Sequence, residues 1–218
     1  MGFQKRLSAP KHYPINRKDN SYVVELKGSR SKDQAIPTAL FLRDVLGYAD
    51  SVSEAKKIVN DGKVQRNGDT VRDVKEGLGV LDVVEVEGLE ETYRIVKDSK
   101  GLKFISVQDD KVLARVTGKK AVGDEYVYSL HNGENYRTKD EFGVQNSLIF
   151  NGGVKEVPLE EGAEVLITGG QHAGETAELV EINRSGLKTS TATVEEDDRQ
   201  FDTRLENVVA VEDVKVTE

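Results

Sequence analysis

Residues Phe41–Val71 read FLRDVLGYADSVSEAKKIVNDGKVQRNGDTV, and this stretch decides how the first half of the chain folds. Asn67-Gly68 is the dipeptide that a two-residue type I′ turn requires, because both central residues need positive φ. GKVQR and DTV on either side are therefore the arms of a short hairpin. Upstream, Ser51 with Glu54 three residues later has the form of a capping box. Val52, Ala55, Ile58 and Val59 make one apolar helical face, and Gly62 stands where that helix should stop. Before it, Pro37 suits a helix start, Leu42, Val45 and Leu46 share a face, and Gly47 ends the run. The sequence predicts helix, capped helix, hairpin, and then a strand in VLDVVEV (80–86).

Working outward, the other segments are of different kinds. Residues 1–36 hold Pro10 and Pro14, have little periodicity, and carry 8 Lys/Arg against 3 Asp/Glu. They are expected to be an extended basic tail, unfolded away from a partner. Between 88 and 157, TYRIVK, KFISV, KVLARVT, YVYSLH and NSLIF are short strands separated by turn residues, an all-β domain. From 158 to 218, AEVLIT, ETAELVEI, LKTSTATV and ENVVAV alternate as strands of a third folded unit, with an acidic loop at 195–198. The expected class is α+β and multidomain: tail 1–36, α-α-β domain 37–87, central β domain 88–157, and a small β-barrel 158–218.

Composition removes several functions. The chain of 218 residues has no cysteine, so disulfides, CxxC zinc sites and thiol catalysis are out. No apolar run is long enough to cross a bilayer, and the charged N-terminus is followed by no apolar segment that would make it an export signal. The histidines, His12, His131 and His172, lie in three separate segments with no nucleophile or metal spacing. GLGVLD (77–82) has two of the three glycines of a dinucleotide fingerprint and precedes a strand, not a helix. No catalytic residue, metal site or cofactor is expected.

Charge supports binding instead. The formal net charge is -8, yet residues 156–218 hold 16 Asp/Glu against 5 Lys/Arg, while the first 36 residues are basic. Arg43, Lys56, Lys57, Lys63 and Arg66 fall outside the apolar pattern of the α-α-β domain, where a helix pair and hairpin can present them to phosphates. Ordinary solvated lysines would read the same way, and from charge alone the two stay open.

The stretch 41–71 resembles the alpha-L RNA-binding motif, with each part in order. EEGAEVLITGGQHAGETAELVEI (160–182) is similar to the KOW motif of ribosomal proteins and transcription elongation factors. RLSAPKHYPI (6–15) and FDTRLENVVAV (201–211) resemble the two ends of the e-type small-subunit ribosomal protein four family of archaea and eukaryotes. The resemblance covers nearly the whole chain. It implies a structural, non-catalytic constituent of the cytoplasmic small ribosomal subunit, bound to its RNA and to neighbouring ribosomal proteins, with no membrane or small-molecule partner. It also implies rRNA contacts from Lys5, Arg6, Lys11, His12, Tyr13, Arg17, Lys18, Arg30 and Lys32 in the tail. The α-α-β domain would add Arg43, Lys56, Lys57, Lys63 and Arg66. The KOW turn would contribute Gly169, Gly170, His172 and Gly174.

Two other readings use the same motifs, an RNA-modifying enzyme with an accessory alpha-L domain and a KOW-type elongation factor. The region 88–157 is short and poor in reactive groups for the first, and all β where the second expects a mixed domain. The departure from the family is acidity, a pI near 5.1, which is the composition expected of a salt-in halophilic archaeon. Arg204 has two readings, a contact to RNA or a pairing with the 195–198 loop that serves the fold, and the second is expected; Phe201 and Leu205 are expected in the core.

Overall fold

The computed structural model describes residues 4–28, 30–108, 110–184, 186, 189–197 and 199–216. The chain forms two compact units, residues 1–95 with 100–110, and residues 96–99 with 111–218.

In the first unit, β1 (Gln4–Lys5) pairs antiparallel with β2 (Tyr22–Val23). β3 (Ala35–Pro37) leads into α1 (Thr38–Leu40), which widens into a π turn over Phe41–Val45, closed by the Leu46 amide donating to the Phe41 carbonyl at 3.0 Å. The sequence led us to expect an ordinary helix here. The extra residue in the turn accompanies a buried run from Ile36 to Leu42, while Arg43 and Asp44 remain at the border.

α2 (Val52–Asn60) begins as expected. Ser51 Oγ accepts from the Glu54 amide at 3.2 Å, and the Glu54 carboxylate reaches one residue further back, to the Asp50 amide at 2.8 Å. Such caps contribute about 1 kcal/mol. Ala55 and Val59 are buried; Val52 and Ile58 are half-buried. β4 (Val64–Arg66) and β5 (Asp69–Thr70) form the hairpin, with φ of 54° at Asn67 and 85° at Gly68, as a type I′ turn requires.

β6 (Gly77–Gly79) pairs with β3, and β7 (Val83–Val86) pairs with β4. The strand expected over 80–86 thus begins only at Val83, after a turn that takes in Val80, Leu81 and Asp82. Asp82, 1% exposed, accepts from the Gly79 amide (2.7 Å), Asn67 Nδ2 (2.9 Å) and Arg30 Nη2 (3.0 Å). A Cβ at Gly79 would collide with the Arg30 guanidinium, which accounts for glycine in GLGVLD without any nucleotide.

β8 (Thr92–Lys97) and β9 (Leu102–Val107) complete a five-stranded sheet in the order β5-β4-β7-β8-β9. The boundary drawn at 87/88 therefore falls inside a continuous sheet, because β7 pairs with β8.

The tail also departs from expectation. Ala9, Tyr13, Val23 and Leu26 are buried, the Leu102 amide donates to the His12 carbonyl at 3.3 Å, and Arg6 is 2% exposed. Enough apolar surface is covered for residues 4–26 to pack on the first unit instead of extending from it.

In the second unit, β10 (Val112–Val122) serves two partners. Its first half pairs with β13 (Ser147–Phe150) and its second with β11 (Glu125–Leu130), with a bulge between Val116 and Gly118. β12 (Asn135–Thr138) and β14 (Val154–Val157) close the edges, giving the order β12-β11-β10-β13-β14. Tyr128 anchors this core: its ring packs with Ala114, Val116, Leu130 and Leu148. Its hydroxyl donates to the Asp140 carbonyl (3.1 Å) and accepts from the Phe142 amide (2.7 Å).

The second sheet has the order β18-β17-β16-β15-β19, all antiparallel, from β15 (Glu164–Ile167), β16 (Thr176–Asn183), β17 (Thr191–Glu196), β18 (Arg199–Arg204) and β19 (Val208–Ala210). Val165, Leu166, Ile167, Leu179, Ala192, Val194 and Val208 fill its core.

Candidate nucleic-acid interface

The cations expected to meet RNA separate by residue type. Four arginines are committed within the fold. Arg6 Nη2 donates to Asp44 at 3.1 Å, and its Nε makes a short bond to the Asn16 carbonyl. Arg43 grips the other oxygen of Asp44 with Nη2 (2.7 Å) and Nε (3.1 Å). Arg30 is held by Asp82, and Arg66 donates to Glu76 (2.9 Å) and to the Gly77 carbonyl (3.2 Å). The planar guanidinium suits such forked contacts.

The lysines, Lys63 apart, stay out. Lys5, Lys11, Lys18, Lys56 and Lys57 are exposed, and Lys32 is exposed but pairs with Glu25 at 3.2 Å. Lys63 is half-buried, and its surroundings are acidic: it lines a shallow recess with Glu85, Glu87 and Glu91. Arg17 is half-buried, with Nη1 3.5 Å from the Leu7 carbonyl.

The expected stacking residues of the tail are placed for structure. Tyr13 is 4% exposed, and burial, with the nearby Asp33 charge, pushes its hydroxyl up to about 12. His12 meets it edge-on, with ring centroids 4.9 Å apart. Sequence reasoning passed over Tyr22, an aromatic of this segment that is 58% exposed. The alternation of β2 could have found it, since Val23 points in and Tyr22 therefore out.

In the KOW turn, a Cβ at Gly169 would collide with Asn207, and one at Gly174 would lie 3.0 Å from Asp98 Cβ; the Gly174 amide already donates to the Ile167 carbonyl at 2.7 Å. These two glycines permit close packing within the unit. Gly170, at φ +95°, is exposed with open space around it.

His172 stacks on Phe201 (centroids 3.9 Å apart), and its Nδ1 lies 2.7 Å from Glu175 Oε2. Burial first, then the charge of Glu175 and a hydrogen bond with it, raise the Glu196 carboxyl above the ordinary carboxylate range. Phe201 is thus half-buried against a histidine, while Leu205 is in the core as expected. Arg204 is exposed and pairs with Glu206 at 3.2 Å, and Asp198 of the acidic loop lies outside the described residues. Among the described residues no cluster of His, Asp or Glu is suited to a metal, and no helix is long and apolar enough to cross a membrane.

Two family models match where the geometry leads: the S4 domain over residues 41–84 and the KOW motif over 161–195. The chain is 33% identical to small ribosomal subunit protein eS4 of Halobacterium salinarum, covering 99% of this chain and 97% of that one. The chain belongs to the eS4 family. The eS4 protein of Archaeoglobus fulgidus is 37% identical, over 95% and 92% of the two chains. The crystal structure of 30S ribosomal protein S4e from Thermoplasma acidophilum superposes with a TM-score of 0.68 at 25% identity, covering 82% and 95%. These eS4 relatives are ribosomal proteins and not enzymes, in accord with the poor catalytic inventory. The more identical of the two sequences is not the one from Halobacterium, so similarity does not single out a halophilic source.

Proposed function

We propose that this eS4-family chain binds small-subunit ribosomal RNA as a structural constituent of the small subunit and supports the folding and assembly of that RNA beside neighbouring ribosomal proteins. The observation that carries the reading is the division of labour among the cations. Arginines 6, 30, 43 and 66 brace the fold from within, which leaves Lys5, Lys11, Lys18, Lys56 and Lys57 exposed in a unit that contains the S4 domain. Lysine is a compact mobile charge, well suited to neutralising phosphates along an irregular backbone. Gly170 adds an open backbone position in the KOW turn. The acidic remainder is the composition expected of a cytoplasm rich in salt, where screening weakens the lysine–phosphate attraction, so that its contribution is largest in dilute buffer.

The test is binding of the full chain to a small-subunit rRNA transcript at several salt concentrations. We expect log K to fall linearly with log salt, and Lys56→Ala with Lys57→Ala to reduce that slope by roughly 1 per lysine that meets a phosphate. A double variant with unchanged affinity and slope would remove the S4-domain lysines from the interface.

A further inference from the structure

On the outer side of the N-terminal segment lies an open groove of about 530 Å³, lined by Lys5, Leu7, Arg17, Lys18, Asp19, Asn20, Ser21 and Tyr22. Its construction follows from the short β1–β2 ladder. Gln4 faces Val23 and Lys5 faces Tyr22, so with Val23 buried the Lys5–Tyr22 pair must project outward together. The base beneath is braced by hydrogen bonds: the Arg6 amide extends the ladder to the Ser21 carbonyl at 3.1 Å, and its side chain is held inside by Asp44 and Asn16.

Leu7 is 70% exposed and Tyr22 58% exposed, two large apolar groups on a short segment whose Ala9, Tyr13, Val23 and Leu26 are buried. Three cations line the groove against a single carboxylate, Asp19. Arg17 has its Nη1 3.5 Å from the Leu7 carbonyl, and its Nη2, although shielded from solvent, has no hydrogen-bond partner among the described residues. A shielded guanidinium N–H without an acceptor costs free energy until an acceptor arrives.

We propose that this groove holds an unpaired nucleotide of RNA, with the base stacked on Tyr22 and bordered by Leu7, and the flanking phosphates met by Lys5, Arg17 and Lys18. The proposal rests on the rRNA-binding reading above and adds to it a site, a stacking residue and a preference for single-stranded RNA. An aromatic ring beside several cations fits a base with its phosphate. A duplex hides its base faces and would leave Tyr22 and Leu7 uncovered.

The experiment measures affinity of the full-length chain and of its Tyr22→Ala and Tyr22→Phe variants for two probes, a single-stranded uridine hexamer and the small-subunit rRNA transcript. Because Tyr22 is exposed and its ring is not part of the core, Ala is expected to leave the fold intact, which a thermal melt verifies. The expected result is that Tyr22→Ala loses roughly tenfold or more in affinity for the hexamer, that Tyr22→Phe binds as wild type, and that the salt slope is the same for all three. Wild-type affinity of Tyr22→Ala for both probes would overturn the site. A wild-type chain that binds the transcript but not the hexamer would also overturn it, while leaving the rRNA reading intact. A chain that binds neither removes both.

Discussion

Arg6 and Asp44 show how much one pair controls. A guanidinium that is 2% exposed is sustained by a carboxylate that is itself only 16% exposed, and by the Asn16 carbonyl. Removing the carboxylate leaves a buried charge without its counter-ion, a change that costs about 3–5 kcal/mol in such settings. Asp44→Ala should therefore destabilise the first unit by that order and release the N-terminal segment. Limited proteolysis reads the release directly: wild type resists cleavage between residues 5 and 26, and the variant is cut there first. Equal protection in both would mean that the apolar contacts of Ala9, Tyr13 and Val23 hold the segment without the ion pair. Nothing in the residue types distinguishes this arginine from a phosphate-binding one. RLSAPKHYPI reads as a basic tail, and it is Asp44, distant in sequence, that turns Arg6 inward.

At the scale of elements, the five-stranded sheet of β15 to β19 contains a row of like charges. Register places Glu164 opposite Glu178, and Glu178 opposite Glu195, on three adjacent strands. Facing like charges oppose strand pairing, and salt relieves them by screening. Glu178→Thr, with a β-branched residue in the middle of the row, should stabilise the protein by about 0.5–1 kcal/mol in dilute buffer. That raises Tm by a few degrees, and the gain should shrink in molar salt. A melt in which the variant is no more stable at low salt, or in which its advantage persists at high salt, would contradict the repulsion.

The same sheet shows what the sequence discloses and what it hides. Strands with alternating or continuous apolar residues, such as 164–167 and 176–183, are legible because burial dictates their pattern. β12, β14 and β18 (NYRT, VKEV, RQFDTR) were missed because an edge strand pairs on one side and buries little. The hairpin at Asn67-Gly68 was legible from local backbone demands alone. The turn at Leu81-Asp82 was not, since it depends on Arg30 and Asn67 converging on Asp82 from far along the chain. Among the candidate site residues, the exposure of Lys56 and Lys57 on α2 was legible from helical periodicity. Which arginines are occupied, and that Tyr22 and not Tyr13 faces outward, required the partners to be seen.

For the whole molecule, a formal net charge of -8 and an RNA-binding role are compatible because charge is partitioned along the chain. The basic excess lies in the first 36 residues, 8 Lys/Arg against 3 Asp/Glu, while in the S4 domain that follows the arginines are engaged in internal bracing and Lys56 and Lys57 remain at the surface. The carboxylates accumulate beyond residue 156, many of them on exposed strand positions. Such a partition lets the acidic part hold water and cations without neutralising the part that carries the lysines. It also explains why total charge misleads for this chain: the sign that matters is local.

The most direct test of the central claim is sedimentation of a cell lysate, prepared in the salt of the source cytoplasm, through a sucrose gradient with the fractions probed for this protein. The account predicts a peak coincident with the small ribosomal subunit, in about one copy per particle, that withstands a moderate change of salt. Protein confined to the top of the gradient, or to precursor particles alone, would contradict a structural constituent of the mature subunit.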